Sequence, residues 1–239
     1  MKNEKISVIL PTYNEVSNIN DLIIIIRKKL CEKNSEIIIV DDGSTDGTVE
    51  SVRKIVQQYE NIKLIERNGK RPSLAGSILD GINVATGEVL LIMDSDFNHS
   101  PEYCSIMCNQ LNENNIVIGS RFVSNISFKD LFDYRYIGSW LVQVILKFIT
   151  GLQAKDCLCG FFCIYKRLID ELDCKYIFKG YGDYFIYLLI ALQRKRVDIV
   201  EIPVSYGKRR GGKSKTKLLK YFFVVIKEGW RAKRNLPRN

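Results

Sequence analysis

Residues 88–98 read EVLLIMDSDFN. The run Glu88–Met93 is short and β-rich, as expected of a strand covered on both faces in a parallel sheet. Oxygen-bearing side chains then follow at alternate positions, Asp94, Asp96 and Asn98, where the chain leaves that strand. Carboxylates crowded in this way repel one another unless a cation or hydrogen-bond donors join them. Mg²⁺ or Mn²⁺ suits such hard oxygen ligands, taking one or two protein carboxylates and completing its shell with substrate phosphates. Alone, Asp94-Ser95-Asp96 reads better as a solvated turn capping the helix that Pro101 opens, so the rest of the chain decides.

The same order of strand and then polar segment recurs on both sides. Ile6–Leu10, Glu36–Val40, Ile62–Ile65 and Ile116–Ile118 are short β-rich runs separated by helix-length stretches. Ser17 precedes Asn18–Leu30, Ser44 or Thr45 precedes Val49–Tyr59, Pro101 opens Glu102–Leu111, and Gly87 stands as a stop for Ser73–Thr86. Strands alternating with helices predict an α/β fold with a mostly parallel sheet flanked by helices. Ligands of such sheets bind beyond the carboxyl ends of the strands. There lie Pro11-Thr12-Tyr13-Asn14-Glu15, Asp41-Asp42-Gly43-Ser44, Asp94-Ser95-Asp96 and Gly119-Ser120-Arg121. Each reads alone as a turn or helix entry, though Tyr13 offers an aromatic face and Asp42 an acceptor for a base. Beyond Arg121 the pattern predicts a helix over Tyr136–Leu152, a short run Phe161–Tyr165, a helix around Tyr184–Gln193 and a strand Val197–Ile202.

At 239 residues the chain is long enough for one large domain with a full core. The reading divides it into residues 1–215 and a basic amphipathic helix over 216–239. No run approaches the ~20 apolar residues of a spanning helix. Met1–Lys5 is polar and the run after it stops at Pro11, unlike a signal peptide, so a cytoplasmic chain is expected. The seven cysteines form no disulfide framework. Cys157, Cys159 and Cys163 depart from zinc-ligand spacing, and buried reduced thiols are expected.

The net charge of +9 is uneven: from Lys208 onward there are twelve Lys or Arg and one acid, a net +11, so residues 1–207 sum to −2. A basic tail suits a nucleic acid or an anionic lipid surface equally. The interleaved apolar residues favour lipid, with no nucleic-acid partner. Leu219, Phe222, Phe223, Ile226 and Trp230 share one side of the last helix, while Lys217, Lys220, Lys227, Arg231, Lys233 and Arg234 supply charge, as in an interfacial helix. Tyr136, Trp140, Val144, Phe148 and Leu152 recur every four residues beside Ile137, Leu141, Ile145 and Ile149, a stripe suited to a core or to a membrane surface.

In this order the segments resemble family 2 glycosyltransferases, in the manner of dolichyl-phosphate mannosyltransferases and other polyprenyl-phosphate glycosyltransferases. Arg67, Leu74-Ala75-Gly76 with Gly81, Ala85-Thr86-Gly87, Gly119-Ser120-Arg121-Phe122, Asp156 with Gly160-Phe161, Lys179-Gly180-Tyr181, Glu201-Ile202-Pro203-Val204, and Arg209 with Gly212, Ser214 and Lys215 extend the match over nearly the whole chain. The resemblance implies a GT-A, Rossmann-like fold and a metal-dependent, inverting transfer from a nucleoside diphosphate sugar, GDP-mannose foremost, to a polyprenyl phosphate. It places the enzyme peripherally on an anionic membrane surface.

By the same resemblance Pro11, Tyr13, Glu15, Val40 and Asp42 would hold the nucleoside, and Met93, Asp94, Ser95 and Asp96 would line the diphosphate and sugar. Asp94, Asp96 and Asn98 would surround Mg²⁺ or Mn²⁺. Arg209 and Lys215 match positions that reach the donor phosphates. Arg121, Arg135 and Ser139 match contacts to the lipid phosphate, so Asp94, Asp96 and Arg121 carry the chemistry. The sequence departs from the family where relatives read S-G-F-R and this chain has Cys159-Gly160-Phe161-Phe162, and Asp183 is shifted from the usual acid. A phosphate acceptor is already anionic, so the sole histidine, His99, is no obligatory base. Two alternatives stay open: transfer from UDP-glucose or another donor to a glycan or protein hydroxyl, and a non-catalytic nucleotide-sugar sensor or membrane adaptor.

Overall fold

The computed structural model describes residues 4–31, 33–123, 134–180, 182–205 and 218–236, with side chains from Tyr136 in the first helix after residue 133 and from Phe223 in the last helix. The strands are β1 (Ile6–Thr12), β2 (Ser35–Asp41), β3 (Ile62–Glu66), β4 (Val89–Ile92), β5 (Asn115–Ser120), β6 (Phe162–Tyr165) and β7 (Asp198–Pro203). The helices are α1 (Ile19–Lys29), α2 (Thr48–Val56), α3 (Leu74–Val84), α4 (Tyr103–Gln110), α5 (Tyr134–Thr150), α6 (Lys166–Asp170), α7 (Cys174–Ile177), α8 (Tyr184–Arg194) and α9 (Leu218–Asn235). Every strand and helix expected from periodicity is present, with ends that differ by at most four residues.

One sheet runs β3-β2-β1-β4-β6-β5-β7. β1, β2, β3 and β4 pair in parallel, as do β5 and β7. β6 alone runs the other way, antiparallel to both β4 and β5. The central strands are buried throughout, with Val8, Ile9, Leu10, Val89, Leu90 and Leu91 all at 0% exposure, which is why they read as unbroken apolar runs rather than alternating ones. The register places Thr12 beside Asp41, Asp41 beside Glu66, and Ile92 and Ile118 both beside Phe162. All the parallel strands therefore finish at one edge, and β6, being reversed, starts there. The segment before β6, which carries Asp156, is thus brought to the edge where the other strands end.

The opposite edge is closed by a buried polar network. Ser7 Oγ donates to Glu36 Oε1 at 2.7 Å, the Thr86 N–H and hydroxyl donate to the same oxygen at 2.7 and 2.9 Å, and Lys63 pairs with Oε2 at 2.8 Å. Gly87 donates to Ser7 Oγ at 2.9 Å. Gly87 was expected to stop α3, but the helix has already ended at Val84 and Gly87 serves close packing: a Cβ there would lie 2.5 Å from the Lys5 carbonyl. Ser73, read as part of α3, is its N-cap and accepts from the Gly76 N–H.

α9 packs against α5 and α8, and α8 also meets β7. Val225, Gly229 and Ala232 of α9, and Leu236 just after it, face inward. Tyr187 donates to Glu228 at 2.8 Å, Lys233 Nζ donates to the Ile149 carbonyl at 2.7 Å, and the Arg194 guanidinium donates to the carbonyls of Lys233 and Leu236 at the end of α9. The last helix is therefore seated on the body of the fold. Among the described residues no helix is long and apolar enough to cross a membrane.

Burial alone would raise the Glu36 carboxyl, but Lys63, Ser7 and Thr86 outweigh it and hold the group at about 2 instead of 4.5. A carboxyl depressed on folding stabilises the fold fully above its unfolded value, and that contribution is lost as pH falls through the folded one. The protein should therefore lose stability between pH 4.5 and about 2 more steeply than Glu36→Gln. Urea midpoints measured across that window, equal in slope for the two proteins, would overturn this account.

Candidate active site

Buried polar side chains gather where the strands end: Thr12, Asp41, Arg67, Ser95, Asp96, His99, Ser120 and Asp156 are each less than a tenth exposed. A folded chain keeps such groups inside only when they are bonded. Their partners define the site.

One side of the site is built from the ends of β1, β2 and β4. Asp42 N–H donates to the Thr12 carbonyl and Ser95 Oγ to the Pro11 carbonyl, both at 2.9 Å, which ties the three strand ends together. The β1–α1 and β2–α2 loops are clasped side chain to backbone: Asn14 N–H donates to Ser44 Oγ, Thr45 N–H to Asn14 Oδ1, Glu15 N–H to Thr48 Oγ1 and Val16 N–H to Asp46 Oδ2. Asn14 adopts φ 58 within this clasp, a conformation that asparagine tolerates better than most residues. Tyr13 is left with 40% of its surface exposed beside the buried Pro11 and Val40.

Asp42 is held more tightly than the sequence implied. One oxygen pairs with the Arg67 guanidinium and the other accepts the Ser73 N–H at 2.6 Å. Arg67 also donates through Nε to Asp80 at 2.8 Å, and Lys70 pairs with the same Asp80 oxygen. Gly76 is required here, since a Cβ would come within 2.5 Å of the guanidinium. Ser73 Oγ donates to the Gly180 carbonyl at 3.0 Å, joining this corner to the Lys179-Gly180 segment.

At the end of β4, Asp96 Oδ1 accepts the Asn98 N–H at 2.9 Å, and the Asp94 N–H donates to His99 Nδ1 at 3.0 Å. His99 also has a backbone hydrogen bond with Cys159 and stacks on Phe161 with ring centroids 4.9 Å apart. Burial lowers the imidazole to about 4, and the nearby Arg121 charge acts in the same direction against Asp96. A neutral His99 with Nδ1 occupied orients Asp94 and is poorly suited to take a proton. Asp94 and Asp96 fit a hard divalent cation that also takes diphosphate oxygens, because their donor atoms are all oxygen. Among the described residues no cluster of three or more His, Cys, Asp or Glu could hold a metal ion without such help.

Across β6 lies Arg121, at the end of β5. Its Nε and Nη2 donate to the two oxygens of Asp156 at 2.8 and 3.0 Å in a fork-to-fork pair. Asp156 has no exposure, while 27% of the Arg121 side chain remains accessible. Glu201 on β7 accepts the N–H groups of Lys155 and Asp156, and Gln143 on α5 donates to Asp156 Oδ1 at 3.1 Å. Ser139, one turn before Gln143 on the same face of α5, is half-buried. The Arg135 side chain, Arg209 and Lys215 lie outside the described residues.

A family model described as Glycosyl transferase family 2 matches residues 7–172, and the site just described falls almost wholly within them. This chain belongs to that glycosyltransferase family. It is 33% identical over 218 residues to the Dolichol-phosphate mannosyltransferase of Pyrococcus furiosus, which covers 89% of this chain and 59% of that protein, so the chain spans little more than half of that relative's length. The Dolichol-phosphate mannosyltransferase of Saccharomyces cerevisiae is 30% identical over 231 residues, covering 93% of this chain and 85% of that one. Glucosyl-3-phosphoglycerate synthase from Mycobacterium tuberculosis, crystallised with Mn²⁺, UDP-glucose and glycerol 3-phosphate, superposes with a TM-score of 0.70 over 96% of this chain and 80% of that chain at 18% identity. That likeness establishes the GT-A-type fold.

Two family departures take physical form. Phe162, where the family resemblance led to an expected arginine, is wholly buried and packs on Phe185 at 5.3 Å, so the position belongs to the core here. Asp183 is the N-cap residue of α8, its carboxylate close over Gly180. The cysteines are free thiols as expected, with Cys157, Cys159 and Cys163 each near a different partner. Sequence reasoning missed Gln143, whose one signal was an amide inside the apolar run Leu141–Leu146. Removing Asp156 would strand Arg121 and Gln143, so Asp156→Ala should cost about 3 kcal/mol of stability. A loss under about 1 kcal/mol in denaturant titration would show that the pair contributes little to folding.

Proposed function

We propose that this chain transfers mannose from GDP-mannose to the phosphate of a dolichol-type polyprenyl lipid, with inversion at the anomeric carbon, while resting peripherally on the cytoplasmic face of a membrane. The observation that carries the reading is the placement of Arg121. It lies across β6 from the carboxylates Asp94 and Asp96, held by a buried acid, and beside a helix with an apolar outer face. Relatives named for transfer of mannose to dolichol phosphate cover most of the chain.

In this reading Tyr13, Pro11, Val40 and Asp42 receive the nucleoside, with Glu15 at the rim, and Met93 and Ser95 line the diphosphate. Asp94 and Asp96, with Asn98 beside them, would hold Mg²⁺ or Mn²⁺, which would supply charge to stabilise the departing diphosphate. The M. tuberculosis structural neighbour is described with Mn²⁺, which supports a divalent ion without choosing between the two. Arg209 and Lys215 add fixed positive charge to the same phosphates. Arg121, with Arg135 and Ser139, holds the acceptor phosphate, whose oxygen attacks from the face opposite the leaving group. A phosphate monoester needs positioning more than deprotonation. The buried, low-pKa His99 is consistent with that, since no other histidine exists to act as base.

The membrane reading rests on α5 and α9. Ile137, Trp140, Leu141, Val144 and Phe148 of α5 are all exposed on one face, Phe148 to 89%, and Phe223 and Trp230 are exposed on α9 beside Lys227, Arg231 and Arg234. Each large apolar side chain left in water forgoes about 1.5–3 kcal/mol of burial. An apolar face of this size beside cations matches the interior and headgroup layers of an anionic bilayer.

Incubation with Mg²⁺ or Mn²⁺, a polyprenyl phosphate and a panel of GDP- and UDP-sugars should give a mannosylated lipid from GDP-mannose, read by mass spectrometry of the organic phase. Nucleotide release without a lipid product would overturn the acceptor. Asp96→Ala should abolish transfer with the circular dichroism spectrum unchanged, and retention of near-full activity would sink the metal assignment. Replacing Trp140 and Phe148 together by serine should reduce binding to anionic vesicles; binding equal to that of the parent would remove α5 from the membrane contact.

A further inference from the structure

α5 is apolar for most of its length, and its one deeply buried amide is Gln143, 2% exposed. A primary amide in such a place is costly unless both ends are bonded. Both are: Nε2 donates to Asp156 Oδ1 at 3.1 Å, and Oε1 accepts the Cys157 N–H at 2.8 Å. Asp156 in turn takes the Arg121 fork through both oxygens and the Arg121 N–H at 3.3 Å. Gln143 thus fixes both the plane of the carboxylate and the backbone that carries it. Leucine would fill this space without burying polar groups, so packing alone gives no reason for an amide. Trp140 and Val144, exposed on the outer side of α5, flank Gln143 along the same helix.

We propose that Gln143 is a positioning residue: it orients Asp156, and through it the guanidinium of Arg121, so that the seating of α5 sets the capture of the acceptor phosphate. The proposal rests on the reading that Arg121 meets that phosphate. The coupling runs through the Gln143 amide, which bonds both Asp156 and the Cys157 backbone; an apolar side chain at this place would carry no directional constraint on a carboxylate. The amide does carry one, since its donor and acceptor are fixed at opposite ends of one plane.

The test is a double-mutant cycle in steady-state kinetics, using the full chain and a short-chain polyprenyl phosphate in detergent, so that vesicle docking does not enter. Gln143→Met keeps the length and apolar packing while removing both hydrogen bonds. It should raise the KM for the lipid phosphate roughly three- to tenfold, the effect of one lost orienting hydrogen bond. The donor KM, donor hydrolysis without acceptor, and the circular dichroism spectrum should stay as in the parent. Arg121→Lys should raise the acceptor KM at least as far, and adding Gln143→Met to it should change little more, because both act through one contact. An unchanged acceptor KM in Gln143→Met, with a raised one in Arg121→Lys, would reduce Gln143 to a structural role. Additive effects would likewise overturn the coupling. An unchanged acceptor KM in Arg121→Lys would instead remove the acceptor reading of Arg121, and this inference with it. Gln143→Asn, which keeps the amide but is one methylene shorter, gives the same comparison should the methionine variant not fold.

Discussion

A carboxylate with no access to water, that of Asp156, organises the side of the molecule where β5 and β7 end. A buried charge is tolerated only where donors surround it, and here they come from three directions: Arg121 at the end of β5, Gln143 on α5, and the backbone of its own loop, itself held by Glu201 on β7. Each of those elements gains a fixed position by meeting the same group. The pair is unsymmetrical in exposure, which suits Arg121 to a second task. Its inner edge is committed to Asp156 while part of the side chain still faces outward.

The side around Asp42 follows a different rule. Its loops are clasped to each other by short Asn, Asp, Ser and Thr side chains that bond to neighbouring backbone, and a deep ion pair, Arg67 with Asp42, joins the end of β3 to the end of β2. Such contacts make a rigid rim with an aromatic face, Tyr13, left exposed on it. A preformed cradle of this kind spends little conformational entropy on binding.

Much of this was legible because the information is local. Unbroken apolar runs mark strands covered on both faces, and the polar residues after Leu10, Val40, Met93 and Ile118 mark where those strands open onto ligand. Three things were not local. The reversal of β6 leaves no mark in Phe162–Tyr165, since a four-residue apolar run reads alike in either direction. Arg121 and Asp156 are 35 positions apart, and Arg67 and Asp42 are 25 apart, so their pairing depends on the sheet order. Gly87 stands where a helix stop is expected, yet what requires it is the Lys5 backbone, 82 residues earlier in the chain and brought close by β1 and β4 lying side by side.

The reversed strand has one further consequence. β6 joins two separately wound parallel groups, β3-β2-β1-β4 on one side and β5-β7 on the other, through ladders of only four and three residue pairs. It is a seam. Asp42, Asp94 and Asp96 stand on one side of it and Arg121 with Asp156 on the other, so the register of this short strand helps to set how far apart the two clusters are held.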